Sequence, residues 1–387
     1  MAVALVGLSC SGCWLQFGAG PGRGGFVAGE TSLTAANAVN LHQVWSASAG
    51  SGAASAPIQT GGRVFVSDGT LMTALNAATG AQLWQKDTQY ETYFPALGEL
   101  ALYQGRVTTT YSVSVFGGVY SFDQTTGAYT DSGTVQLAPY NAPAVVGNFV
   151  VSDLGQADQN GAISAIQIGI SSYGAIDAWS DLSKVVPATN PMVRGNGVFV
   201  GSGNAMLSFT MGTCLPGPAP GYCAPTWKTD LGSRTGMPVS LSATQLAVPL
   251  ANGNVAVLDA ATGALQWTAT TGSTSAQSPA TDGTTMFVGT ADGIVRAFPV
   301  AGCGNTTCNA TSTSTAAGAA ISSQPVLAGG VVYVGTANGK LVAFDTSGKQ
   351  LVSLTVNATA TKVAVIEDGA TVYATTDKGT VAAFRAS

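Results

Sequence analysis

Six cysteines, a single histidine and a thin scatter of acids carry whatever chemistry this chain can do. The cysteines form three close pairs, Cys10/Cys13, Cys214/Cys223 and Cys303/Cys308. A two-cysteine loop with no histidine nearby is a poor zinc site. Cys214, Cys223, Cys303 and Cys308 are therefore expected as disulfides, each worth about 2–3 kcal/mol in the chain-entropy picture, and disulfides imply an oxidising compartment. Cys10 and Cys13 have redox-motif spacing but lack the strand-to-helix setting of such motifs. Asp153, Asp158 and Asn160 offer oxygens close together. Calcium takes six to eight, and a polar hairpin insertion is the simpler reading. His42 has no neighbour to position it as a general base. Glu30, Glu91, Glu99 and Glu367 are the only glutamates, and aspartates such as Asp68, Asp282 and Asp292 read as turn formers. Arg194 follows Pro191-Met192-Val193 in an expected inner strand. It is the candidate contact for a partner carboxylate, with an internal ion pair as the plainer alternative. No G-x-S-x-G, P-loop or H-E-x-x-H motif occurs. No catalytic, cofactor or metal residue is assigned on these grounds.

The composition narrows the class. Of 387 residues, 46% are hydrophobic and 9% charged, against about 25% charged in ordinary soluble proteins. Fourteen basic against 19 acidic residues give a net charge of -5, which argues against nucleic acid as a partner. The opening MAVALVGL is too short for a transmembrane helix, which needs about 20 residues. It reads as the end of a signal-peptide core, and Ser11-Gly12-Cys13 looks like the end of a lipobox, with Cys10 where an aliphatic residue is usual. Cys13 is the lipidation candidate. Residues 1–13 are read as a processing segment and 14–40 as an N-terminal lead-in. A lipid-anchored and a freely secreted product both remain open.

Repeats must position these residues. The stretches Arg63–Trp84, Gln245–Trp267 and Val331–Leu351 share one pattern: strand, glycine turn, strand, Thr-Gly or Ser-Gly turn, strand. Pro57, Pro95, Pro143, Pro191, Pro238, Pro279 and Pro325 mark a preceding strand in each unit, and Ala364 stands at that place in a last unit. Four short Val/Tyr/Phe/Thr-rich strands at this period imply a β-propeller. The expectation is an all-β, eight-bladed propeller over residues 41–387, with four-stranded antiparallel blades. The last unit lacks a fourth strand, and Leu41–Ser48 is an orphan strand with Trp45, so 41–48 is expected to complete the last blade. Trp45, Trp84, Trp179, Trp227 and Trp267 are read as docking on neighbouring blades.

The pattern Ala-x-Asp/Asn-x-x-Thr-Gly-x-x-x-Trp resembles the tryptophan docking motif of PQQ-type propeller repeats. It stands as Ala74, Asn76, Thr79, Gly80 and Trp84, and again as Val257, Asp259, Thr262, Gly263 and Trp267, with weaker copies at Asp123 and Asp345. The resemblance covers about 340 residues. It is similar to secreted and lipoprotein envelope propellers and also to quinoprotein dehydrogenases. The dehydrogenase branch implies PQQ with calcium in a central funnel, a catalytic aspartate and usually a vicinal disulfide; no Cys-Cys pair occurs here. Fold alone does not fix function. The expectation is a non-enzymatic scaffold of the bacterial periplasm, outer membrane or exterior, without a cofactor and presented to a protein or envelope polymer. The alternatives are a PQQ-dependent oxidoreductase and a surface adhesin.

Overall fold

The computed structural model describes residues 14, 16–88, 96–103, 105–113, 116–131, 142–146, 149–156, 159–167, 174–180, 189–211, 222–223, 225–366 and 370–386. Short alternating strands separated by glycine turns fold into small sheets. The first contains Ile58–Thr60, Arg63–Ser67, Leu71–Asn76 and Gln82–Asp87, paired in that order. Each following unit repeats the plan, so that Ala96–Tyr103, Ala144–Val146, Met192–Arg194, Val239–Ser240, Ala280–Thr281 and Val326–Ala328 each open the next sheet. These opening strands are the inner ones, and successive inner strands lie against one another. The prolines stand immediately before or close to them because a residue without an N–H suits the start of a strand.

Two features correct the expected eight-bladed ring of like four-stranded antiparallel blades. Seven sheets are each built around one contiguous stretch of chain. The remaining sheet is a composite of the two chain ends, in the order Leu41–Ser48, Thr380–Ala386, Thr371–Thr376, Ala360–Ile366. Three of the seven are five-stranded and mixed rather than four-stranded and antiparallel. Tyr222–Cys223 adds in parallel to the outer strand Gly174–Ser180. Thr307–Asn309 adds in parallel to Leu265–Thr270. On the inner side, Phe26–Val27 adds in parallel to Val326–Ala328. The physical reason is edge satisfaction: a sheet edge presents unpaired N–H and C=O groups, and nearby chain pairs with them. What stands is an all-β propeller of mixed small sheets.

The core lies between the sheets. Phe65, Phe122, Phe298, Phe344 and Phe384 are all buried from solvent. The composite sheet meets the first sheet through Trp45, whose indole N–H donates to Ala77 O at 3.0 Å, and through Tyr373, whose hydroxyl donates to Gln59 Oε1 at 3.0 Å.

Candidate functional site

The inner strands converge on a funnel, a cavity of about 350 Å³ lined by Phe17, Ser55, Ser67, Glu99, Asn190 and Lys362 among others. Its two charged side chains are aimed by the same device. Glu99 lies where the register of Ala96–Tyr103 shifts between Leu97 and Leu100, and Lys362 follows a shift between Ala360 and Lys362. A bulge turns a side chain that regular pleating would send elsewhere. The Thr109 hydroxyl holds the first bulge by donating to Gly98 O or Glu99 O, each at 3.1 Å.

The pair meets across sheets. Lys362 Nζ lies 3.3 Å from Glu99 Oε1, and Glu99 Oε2 accepts the Ala56 N–H at 2.6 Å. Glu99 thus ties the second sheet to the first sheet's lead-in and to the composite sheet. On the far wall Asn190 Oδ1 accepts the Ala142 N–H at 2.8 Å. Phe17 approaches two cations, with Lys362 Nζ and Arg23 Cζ each 5.7 Å from its ring centroid, inside cation–π range.

Beneath the funnel lies Arg23, fully buried. Its Nε donates to Pro191 O at 3.2 Å, its Nη1 to Phe17 O at 2.8 Å, and its Nη2 to Ala142 O at 2.9 Å and Pro143 O at 3.0 Å. Burial lowers its pKa to about 10, with the Glu99 charge opposing that shift. The guanidinium is therefore still charged at neutral pH, inside a cage of carbonyl oxygens.

The residues singled out from sequence are spread around the molecule. Arg194 ends its inner strand, paired with Gly197, and does not line the funnel. The arginine at the axis is Arg23, which the sequence reading passed over. Its one signal was the run Gly18-Ala-Gly-Pro-Gly-Arg-Gly-Gly25, too rich in glycine to be a strand and too short to be a linker between domains. Cys303 and Cys308 form a disulfide, S–S 2.11 Å. Cys223 lies in the added strand Tyr222–Cys223, while Cys13 and Cys214 fall outside the described residues. Trp179 lies in the outer strand Gly174–Ser180.

Trp45, Trp84 and Trp227 share one geometry. Each donates its indole N–H to a carbonyl of the following sheet: Ala77 O at 3.0 Å, Gln124 O at 3.1 Å and Ala260 O at 3.1 Å. Each ring covers the glycine of that sheet's Thr-Gly turn. A Cβ on Gly80 would lie 2.7 Å from the Trp45 ring, and one on Gly127 or Gly263 would meet Trp84 or Trp227 as closely. Gly80 also has φ +73°, a region costly for any residue with a Cβ. Asn76, Asp123 and Asp259 fold these turns by accepting N–H groups two and three residues on. Trp267 is buried against Gly302, and its indole N–H has no partner among the described residues.

The family model described as "Outer membrane protein assembly factor BamB" matches residues 16–164, 67–211 and 224–387. The chain belongs to that family. No curated protein matches it. Among solved structures it is similar to BamB from Moraxella catarrhalis, at 17% identity and TM-score 0.65 over 89% of this chain and 97% of that one. It is also similar to quinohemoprotein alcohol dehydrogenase from Comamonas testosteroni, at 14% identity and TM-score 0.73 over 96% and 80%. A third is the computationally designed Ika8 protein, at 18% identity and TM-score 0.69 over 88% and 99%. At these identities the likeness is one of fold.

The funnel can be tested against the quinone and calcium that the dehydrogenase resemblance implies. Calcium needs six to eight oxygen ligands. The carboxylate among the described lining residues is Glu99, and both its oxygens are engaged, one by Lys362 and one by the Ala56 N–H. No group of three or more His, Cys, Asp or Glu suited to a metal occurs among the described residues. The axis below is filled by the chain's own Arg23 and its flanking residues. The described funnel residues do not fit a calcium-bound quinone.

Proposed function

We propose that this chain is a non-enzymatic scaffold of the bacterial cell envelope, secreted or held by a lipid at Cys13, that presents its funnel face to a protein or polymer partner. The carrying observation is the use made of the funnel's ionisable groups. Glu99, Lys362 and Arg23 are each engaged in holding sheets and the N-terminal segment together. Membership of the BamB family supports the same reading. Lipidation at Cys13 would place the acyl chain one residue from Trp14, which is buried, so an anchored protein would sit close against its membrane.

The test is equilibrium dialysis of the purified protein against PQQ with calcium, paired with photo-crosslinking in envelope extract from a probe at Ala53 on the funnel wall. The scaffold reading expects no quinone retained and one discrete crosslinked partner. The likeness to quinohemoprotein alcohol dehydrogenase favours a second reading, a PQQ-dependent oxidoreductase. Stoichiometric quinone retention would establish that reading and overturn the scaffold.

A further inference from the structure

The inner edge of a propeller sheet faces the axis, where its backbone groups need partners. In five successive sheets the relevant N–H belongs to the residue two places after the marker proline: Val145, Val193, Ser240, Thr281 and Leu327. All five find their acceptor in residues 16–25. Val145 donates to Gln16 Oε1 at 3.0 Å. Val193 donates to Pro21 O, Ser240 to Gly22 O and Thr281 to Gly24 O, each at 2.9 Å, and Leu327 donates to Gly25 O at 2.8 Å. Gln16 also bridges Ala101 in the second sheet, and Phe26 and Val27 pair with Leu327 and Ala328. The segment therefore walks round the axis, meeting six consecutive sheets in their order along the chain.

Its composition suits that path. A Cβ on Gly25 would lie 2.8 Å from Pro325 O, and Gly25 has φ +58°. One on Gly18 would lie 2.9 Å from the Arg23 Cα. The Arg23 side chain enters the carbonyl cage described above. Gln324 Nε2 closes the far side by donating to Arg23 O at 2.8 Å.

We propose that the axis of this ring is a peptide-binding site for an extended, glycine-rich segment carrying one arginine, and that residues 16–27 are its resident ligand. Recognition is by main-chain amides, four of which meet main-chain carbonyls and so accept any sequence able to approach closely enough, together with the Gln16 side chain and one guanidinium pocket that demands arginine. This mode resembles strand addition to a sheet edge, shared among several edges. The site stands independently of what the funnel face binds.

The test uses the full chain with a protease site inserted between Val39 and Asn40, both exposed. After cleavage, the N-terminal fragment should stay with the ring through gel filtration. In the Arg23→Ala version it should be lost while the circular dichroism of the remaining ring, which is wild type in sequence, is unchanged. A labelled synthetic peptide of residues 14–39 should then bind that emptied ring at one to one. Its Arg23→Ala form should bind more than about tenfold more weakly, since each hydrogen bond to a buried charge commands a factor of that order. A peptide of residues 28–39 should not bind. Four results would overturn the proposal. These are release of the wild-type fragment, retention of the Arg23→Ala fragment, equal binding of both peptides, and unfolding of the ring on cleavage. The last would make the segment a part of the fold rather than a ligand.

Discussion

The inner edges of the sheets face the axis and the outer edges face solvent, and the chain covers the two by different means. Inside, one contiguous segment serves six sheets, and its contacts are dense and buried. Outside, cover is piecemeal. Tyr222–Cys223 and Thr307–Asn309 each cap one neighbouring sheet in parallel, Leu41–Ser48 completes the composite sheet, and Gln82–Asp87, the last strand of its sheet, is half-exposed and carries the charged Lys86 and Asp87. An edge in water can be left to solvent and protected by charge. An edge buried from water must be paired by protein. Loss of an inner contact should therefore cost far more than loss of an outer one.

The largest effect is expected from Arg23→Ala in the intact chain. Four carbonyls lose their donor, each at about 1–3 kcal/mol when buried, and recovery of the arginine's desolvation cost offsets only part of that. A loss of about 4 kcal/mol or more is expected in urea unfolding. A change below about 1 kcal/mol would show that the inner edge is no more demanding than the outer. Next is Gly80→Ala, at the docking seam between the two rims. The added Cβ meets the Trp45 ring at 2.7 Å and must also adopt φ +73°. Overpacking and a left-handed backbone together cost about 2–4 kcal/mol. Trp45 fluorescence should shift to the red as the indole lifts off, and an unchanged spectrum would sink this account of the seam.

A smaller effect, about 2 kcal/mol from the short loop it closes, is expected for Cys303→Ser with Cys308→Ser. The loss should be confined to the outer rim: hydrogen exchange should quicken in Thr307–Asn309 and in Leu265–Thr270, the strand it caps, while Val193, Ser240 and Thr281 stay protected. Faster exchange at those inner amides would erase the distinction between the rims.

The sequence made the docking seam legible and hid the axis, for one physical reason. The seam is local in sequence. Asp or Asn, Thr and Gly occupy fixed places in one turn, because the carboxylate or amide must reach N–H groups two and three residues on, and the tryptophan lies four residues past the glycine. The repeat therefore shows as a pattern, and with it the family. The axial segment pairs with residues more than a hundred positions away, as Arg23 does with Ala142 and Pro191, and its own residues alternate in nothing. Arg194 was the arginine that strand pattern could find, and Arg23 the one it could not. The marker prolines were visible as a ruler, but the amides two places on needed the structure to reveal their common acceptor. Glu99 and Lys362 stayed hidden because each stands at a bulge, where the alternation used to assign faces breaks. The two-residue and three-residue parallel strands outside have no period to read.

The weakest test lies wholly on the outside, at the Asp292–Arg296 pair. Arg296 Nη2 donates to Asp292 Oδ2 at 2.5 Å and Nη1 to Oδ1 at 2.9 Å. The hydrogen bonds from Arg296 lower the Asp292 pKa to about 2, with desolvation opposing them. The folded-state value thus lies below the unfolded one, near 3.9. The stabilisation is present above that unfolded value and is lost as pH falls from about 4 towards 2. Asp292 is 40% exposed, so solvent screening keeps the contribution below about 1 kcal/mol. Asp292→Asn should then match wild type within that margin at pH 7, and the two should converge as pH falls to 2. The inner rim should not follow, because the Arg23 cage consists of carbonyl oxygens that do not titrate in that range. If the cost of Arg23→Ala also faded between pH 4 and 2, the carbonyl cage would not account for the hold on that arginine, and the two rims would differ in burial but not in kind.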